Sequence, residues 1–383
     1  MEKTLFHTAL LLIAAKTGGL ISVRFKMPEV LGALLAGVAL GPAALNWVPY
    51  DNGVRLLSNL GVILLMFLAG LGTDAGQLKK AGKSSFAIAS MGILLPLLLG
   101  TASAFLFFKD PAENLFIGAI LTATSVSITA ETLTEMGKLN TRAGIHILGA
   151  AVIDDVLGLV LISVLLGARG GGVSLAVKLG GIAVFCLAGT LTVVFLPKIA
   201  NGRIGNRPPD RTLLTFTLAL TLLAACAAES AGIAAITGAY LFGLALSRFR
   251  HKEYLERNVR AISSGFLSPI FFAGVGLEAT LTGLDGKVVL ITLTMFVAAV
   301  AGKIAGCGAA ARLCRMSRRE AAQIGAGMVS RGEVAVITAN IGLQNHIITQ
   351  EVFIPTILVV LLTTIAAPIL LKRTFSHKFE NPS

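Results

Sequence analysis

Charge is scarce in this chain of 383 residues: 14% is Asp, Glu, Lys or Arg against 55% hydrophobic, with one tryptophan, three tyrosines and four cysteines. So small a charged fraction excludes a soluble domain, whose composition runs to about 25% charged residues. The cysteines exclude more. Cys186, Cys226 and Cys307 fall in hydrophobic stretches and Cys314 in a basic loop, without metal-ligand spacing, so neither zinc nor a disulfide framework is expected. No cofactor is called for, and no enzyme chemistry is expected.

What the chain has is apolar length. Its mean hydropathy is +0.83, with 42 glycines. Stretches of about 20 residues, enough to cross about 30 Å of hydrocarbon, follow one another from Thr4 to Leu371. We expect about thirteen of them, in an all-α, polytopic membrane protein. The first, Thr4 to Val23, carries Lys16 and is followed at once by another hydrophobic segment, so it reads as a retained span and not a cleaved signal peptide. No break between stretches has room for a soluble domain, and few residues follow the last, so a body lying wholly in the membrane is expected.

The net charge of +12 is a matter of topology, since the cations alternate by loop. After spans one, three, five, seven, nine and eleven come Arg24 and Lys26; Lys79, Lys80 and Lys83; Lys138 and Arg142; Lys198, Arg203, Arg207 and Arg211; Arg248, Arg250, Lys252, Arg257 and Arg260; and Arg312, Arg315, Arg318 and Arg319. Lys372, Arg373 and Lys378 follow the last span, whereas the opposite side has only Lys3, Arg55, Lys109, Arg169 and Lys287. By the positive-inside rule the amino terminus is outside and the carboxyl terminus cytoplasmic, in a bacterial inner membrane. The basic loops read as topology signals and lipid headgroup contacts, with no nucleic-acid partner.

The chain also repeats itself. Phe67 to Ala75 (FLAGLGTDA) returns as Phe271 to Ala279 (FFAGVGLEA), Gly32 to Leu40 (GALLAGVAL) as Gly238 to Leu246 (GAYLFGLAL), and Ile117-Gly118-Ala119 as Ile324-Gly325-Ala326. The three matches keep their order and nearly one offset. That offset covers an odd number of spans, so the second copy lies inverted: two six-helix repeats joined by a linker span near Val173 to Pro197. In such folds a binding site lies near the midplane where helices are broken. The hydroxyl-rich segment Thr122 to Thr129 in span five is a candidate break, and Val329 to Val334 in span twelve is its counterpart.

Asp154 and Asp155 stand together inside the apolar run from Gly144 to Gly167. A carboxylate at the bilayer centre costs about 2.5 to 3.5 kcal/mol even on insertion scales, so the pair points to ion or proton transport. Neighbours on a helix diverge by about 100°, which gives the two carboxylates different surroundings and different tasks. One can pair with a buried cation while the other stays open to water and substrate. Lys303, between Gly302 and Gly306, is the candidate cation, against the alternative that it snorkels to the surface. Arg331 and Glu333 read as an ion pair steadying the break in span twelve. Glu131 and Glu135 read as cap or interface charges, Lys16 and Lys178 as snorkelling residues, and His146 as a packed histidine.

The Ile153-Asp154-Asp155-Val156 centre, the Gly302-Lys303 helix, the Ser330-Arg331-Gly332-Glu333 segment, and Pro28 to Gly32 with Gly37 to Pro42 resemble the monovalent cation:proton antiporter-2 family, particularly its sodium/proton exchangers. The resemblance covers essentially the whole chain. It implies a scaffold that dimerises (residues 1–82 and 211–283), a mobile core (83–168 and 286–372) and a linker helix (169–200). It further implies that Asp155 binds a cation or a proton, so that sodium is held there transiently. Asp154 would pair with Lys303, and Thr124, Ser125 and Ser127 would lie where the broken helices cross. The expected activity is exchange of sodium, with lithium or potassium as alternatives, for protons, with electrogenicity expected from two titrating groups at one site. The double aspartate favours sodium over potassium.

Three other classes fit less well. An intramembrane aspartyl protease needs its two aspartates on different helices, sharing a proton. A sodium-coupled organic anion symporter wants a cavity of hydroxyls and amides without a lysine-paired aspartate. In a channel a mid-membrane ion pair would block the pore.

Overall fold

The computed structural model describes residues 2–167, 175–203, 205, 208–278 and 285–376, and among them it is helical throughout, without a strand. The first half comprises α1 (Glu2–Arg24), α2 (Glu29–Leu40), α3 (Asn52–Gly72), α4 (Ala75–Ala104), α5 (Pro111–Ile120), α6 (Val126–Glu135) and α7 (Arg142–Gly167). Then α8 (Leu175–Arg203) leads to α9 (Arg211–Ser230), α10 (Ala235–Leu246), α11 (Lys252–Ile262), α12 (Ser268–Leu277), α13 (Gly286–Leu313), α14 (Arg318–Gly327), α15 (Glu333–Gln344) and α16 (Gln350–Ser376). A π-helical turn, Ser263–Leu267, joins α11 to α12 without interruption.

The duplication is visible in the elements. α2 and α10 are both 12 residues long, α4 and α13 are 30 and 28, α5 and α14 are both 10, and α7 and α16 are 26 and 27. Among the described residues nine helices are long and apolar enough to cross a membrane, counting Lys252–Leu277 as one. The shorter α2 and α10 are apolar too, as is most of α15. The expectation of about thirteen spans counts α2 and α10, and the pairs α5 with α6 and α14 with α15, as crossing units; length and composition alone do not decide that number.

Aspartate marks the helix starts. Asp51, Asp74, Asp110, Asp210 and Asp285 each cap an N-terminus by accepting a backbone N–H of the first turn. This satisfies donors that the helix itself cannot and places negative charge at the positive end of the dipole. The remaining aspartates, Asp154 and Asp155, lie in the middle of a helix.

The helices pack in two groups. In one, α3 lies on α10 and α12, α1 on α2, and α2 on α12; in the other, α4 lies on α13, α7 and α5, and α13 on α14 and α16. The seam between α4 and α13 depends on small residues. A side chain at Gly302 would run into the backbone of Pro96, and one at Gly306 into the carbonyl of Met91. Close approach of the two backbones is what seats Lys303 inside this group. α4 is one continuous helix from Ala75, so the boundary expected between residues 82 and 83 falls within it.

Candidate functional site

Asp154 and Asp155 occupy the middle of α7 and face different partners. On one side Lys303 of α13 donates from Nζ to Asp154 Oδ1 at 3.0 Å and Oδ2 at 3.2 Å. The lysine side chain is 0% exposed and the aspartate's 2%. Lys303 therefore does not snorkel; it ends on a carboxylate in the interior. On the other side Thr237 Oγ1 of α10 donates to Asp155 Oδ2 at 2.8 Å, and both residues are buried.

Asp155 also lines a cavity of about 390 Å³ that continues past Asn59, Ile236 and Thr338 to Glu229 at the end of α9. Most of its wall is Val, Ile, Leu and Ala, and among the described residues its charged lining is these two acids. A narrow apolar cavity with carboxylates along it attracts small cations and repels anions. At the other end of the molecule a cavity of about 270 Å³ is lined by Glu131, Asn140 and Arg260, and Asp155 does not line it.

The two hydroxyl-containing breaks, residues 121–125 between α5 and α6 and 328–332 between α14 and α15, meet. Ser125 N–H donates to the Ser330 carbonyl at 2.8 Å, and Thr129 Oγ1 to the Gly327 carbonyl at 2.8 Å. A side chain at Gly332 would strike that of Ser125. Buried backbone groups freed by the breaks thus find partners across the crossing, as they must where no water competes. Thr124 Oγ1 reaches the Thr122 carbonyl at 3.5 Å, and the Ser125 and Ser127 hydroxyls lie 3.2 Å apart. These contacts run within the break, whereas Asp155 is bonded toward α10.

Arg331 is fully buried in the second break. Its backbone is held by α16, with N–H donating to Thr363 Oγ1 at 3.3 Å and the carbonyl accepting from Thr364 Oγ1 at 2.8 Å. Nη2 donates to the Ala299 carbonyl of α13 at 3.1 Å, while Nε and Nη1 have no hydrogen-bond partner among the described residues. Ala299 lies one turn before Lys303, so the guanidinium braces the helix that carries the lysine. The expected pairing with Glu333 lies outside the described residues, which include that residue's backbone but not its side chain.

Several lesser expectations also find their places. Lys16, expected to snorkel, pairs with Glu29 at 2.5 Å, because α2 starts beside it. The Glu135 carboxylate accepts the N–H groups of Glu29 and Val30 at 2.8 and 3.2 Å, capping α2 from the end of α6. His146 is buried, its Nδ1 at 2.7 Å from the Arg142 carbonyl. The Lys178 side chain lies outside the described residues. Among the described residues no three His, Cys, Asp or Glu gather into a metal-holding group.

Thr237 and Asn59 were not anticipated. The repeat held a signal for Thr237: at the matching place in the first copy stands Leu31, so the second copy puts a hydroxyl where the first has only carbon.

The family described as "Sodium/hydrogen exchanger, transmembrane" matches residues 9–377. The Na(+)/H(+)-K(+) antiporter GerN of Bacillus cereus is 38% identical over 376 residues, covering 97% of this chain and 96% of that protein. The Na(+)/H(+) antiporter of Enterococcus hirae is 35% identical, covering 97% and 98%. In fold the chain is similar to the solved sodium proton antiporter MjNhaP1 of Methanocaldococcus jannaschii, with a TM-score of 0.67 at 19% identity over 97% of this chain and 96% of that one.

Proposed function

The chain belongs to the sodium/hydrogen exchanger family, and from that premise we propose that it exchanges a monovalent cation, sodium in the first instance, for protons by alternating access. The observation that carries the reading is the division of labour on α7. Asp154 is already neutralised by Lys303, whereas Asp155 stands in a cavity that a hydrated cation can enter. A carboxylate there holds either a proton or a cation. Arrival of one displaces the other, and antiport follows once the loaded site is carried between the two faces.

The two packing groups support a moving body and a fixed one. We assign α1 to α3 and α9 to α12 to a scaffold that dimerises in the lipid, and α4 to α7 with α13 to α16 to the transporting core, linked by α8. In this assignment the core begins at Ala75, where α4 starts. Thr124, Ser125 and Ser127 at the crossing would offer oxygens to the cation as the site closes. The alternating basic loops support a bacterial cytoplasmic membrane with the amino terminus outside, an orientation in which the cavity ending at Glu229 faces outward. Asp155 and the Asp154 to Lys303 pair together give two titrating groups, which supports an electrogenic exchange.

The name of GerN includes potassium, and this favours a second reading in which potassium is also carried. A panel of sodium, lithium and potassium, each added to proteoliposomes with an imposed pH gradient, tests both. Sodium is expected to collapse the gradient and Asp155→Asn to abolish the response. Normal exchange by that variant would overturn the site assignment, and collapse by potassium alone would overturn sodium as the principal cargo.

A further inference from the structure

An exchanger must not return empty. If the vacant, charged site could cross as readily as the loaded one, cation would leak without proton movement. Some contact must therefore distinguish the vacant carboxylate from the loaded one. The structure contains one that spans the two packing groups. Thr237 belongs to α10, which packs on α3, α9 and α8, while Asp155 belongs to α7, which packs on α4, α14, α5 and α6 and, like α10, on the linker α8. Their 2.8 Å hydrogen bond joins the groups at the proposed binding carboxylate itself.

We infer that Thr237 is a positioning residue that tethers the vacant Asp155 carboxylate to α10 and so holds the empty core in place. The inference rests on Asp155 being the exchanged site. A hydroxyl proton is attracted to an ionised carboxylate far more than to a protonated or cation-bound one, since charge assistance roughly doubles such a bond. The tether is strong when the site is vacant and slack when either ion is bound, which is the dependence that tight exchange requires. The surrounding polypeptide permits such a choice: Thr237 is 2% exposed, and water does not compete freely for its hydroxyl.

The tether also biases binding. It stabilises the vacant anion alone, so its removal strengthens the hold of the carboxylate on both protons and sodium. Among the described residues the other charges near the site are Asp154 and Lys303 on its inner side, Arg331 at the break, and Glu229 at the far end of the cavity. None of them is altered by a change at Thr237.

The test compares Thr237→Val, which keeps the shape and removes the donor, with Thr237→Ser, which keeps the donor. In proteoliposomes Thr237→Val is expected to let radioactive sodium run down its gradient with fewer protons moved in return. Its half-saturating sodium concentration at alkaline pH, where protons do not compete, should fall about tenfold. Thr237→Ser should restore both. A second readout needs no turnover: the sodium-induced rise in melting temperature of the purified protein, followed against pH, should keep its onset and be larger at alkaline pH in Thr237→Val. Wild-type coupling together with an unchanged melting profile in Thr237→Val would overturn the tether. Weaker sodium binding at high pH would also overturn it and make Thr237 an ordinary cation ligand. If Asp155→Asn kept the sodium-induced stabilisation, the site assignment would fall along with the tether; if only Thr237→Val behaved as wild type, the tether alone would fall.

Discussion

Lys303 meets both carboxylate oxygens of Asp154, at 3.0 and 3.2 Å, with neither side chain more than 2% exposed. Such a pair contributes little net stability while intact, because desolvation offsets the attraction, yet removing one partner strands a charge at a cost of about 3 to 5 kcal/mol.

Lys303→Met is accordingly expected to lower the melting temperature sharply at neutral pH and to regain stability in acid, where Asp154 can take up a proton. Adding Asp154→Asn to it should recover much of the loss, since no charge is then left unpaired. Thermal unfolding in detergent across pH reads both effects. A lysine that merely filled space would give the same loss at every pH.

That a buried cation would meet one of the two acids was legible in the sequence because buried charge is rare and has to be compensated; that the acid is Asp154 came from the resemblance. The breaks were legible from clustered hydroxyls and from the duplication. Thr237 was not, since a single threonine in an apolar helix carries no mark of its own, and only comparison with Leu31 in the other copy singles it out. The partner of Lys16 was hidden for a related reason. Its partner Glu29 lies 13 residues away, across the turn into α2, and only folding brings them together.

Exchange should weaken in acid. Protons and sodium compete for the same carboxylate, so once protons dominate, the half-saturating sodium concentration should rise about tenfold for each unit that the pH falls. Initial rates of gradient collapse in proteoliposomes, measured at several sodium concentrations and pH values, provide the check. A fixed half-saturation with only the maximal rate falling would mean that the two ions occupy different groups.

Gly306→Leu should force α13 away from α4, because the new side chain would run into the Met91 carbonyl. Overpacking of this kind costs about 1 to 3 kcal/mol, and it moves the helix that carries Lys303. Melting temperature and exchange are expected to fall together. Gly158→Ala, whose added Cβ has nothing nearby to meet, should leave the melting temperature close to wild type.

Asp74 offers a pH test away from the ion path. Its carboxyl is held below the ordinary aspartate range first by the Gln77 amide, then by the Gln77 side chain, the Gly76 amide and the Arg248 charge, with burial opposing. Its stabilising contribution is therefore present above the unfolded aspartate value and lost as pH falls through the lower folded value. Asp74→Ala should cost about 0.5 to 2 kcal/mol at neutral pH. Denaturation curves of the variant and the wild type should converge in strong acid; a constant gap would mean that the aspartate acts through packing.

The backbone hydrogen bond from Ser125 to Ser330 has a consequence for inheritance as well as for motion. Each copy of the duplicated half supplies a backbone group that the other needs, so neither broken helix could straighten without orphaning its counterpart. A lineage that altered one break would have to amend the other in step, and the two halves, separated by some two hundred residues of chain, are bound to evolve as one.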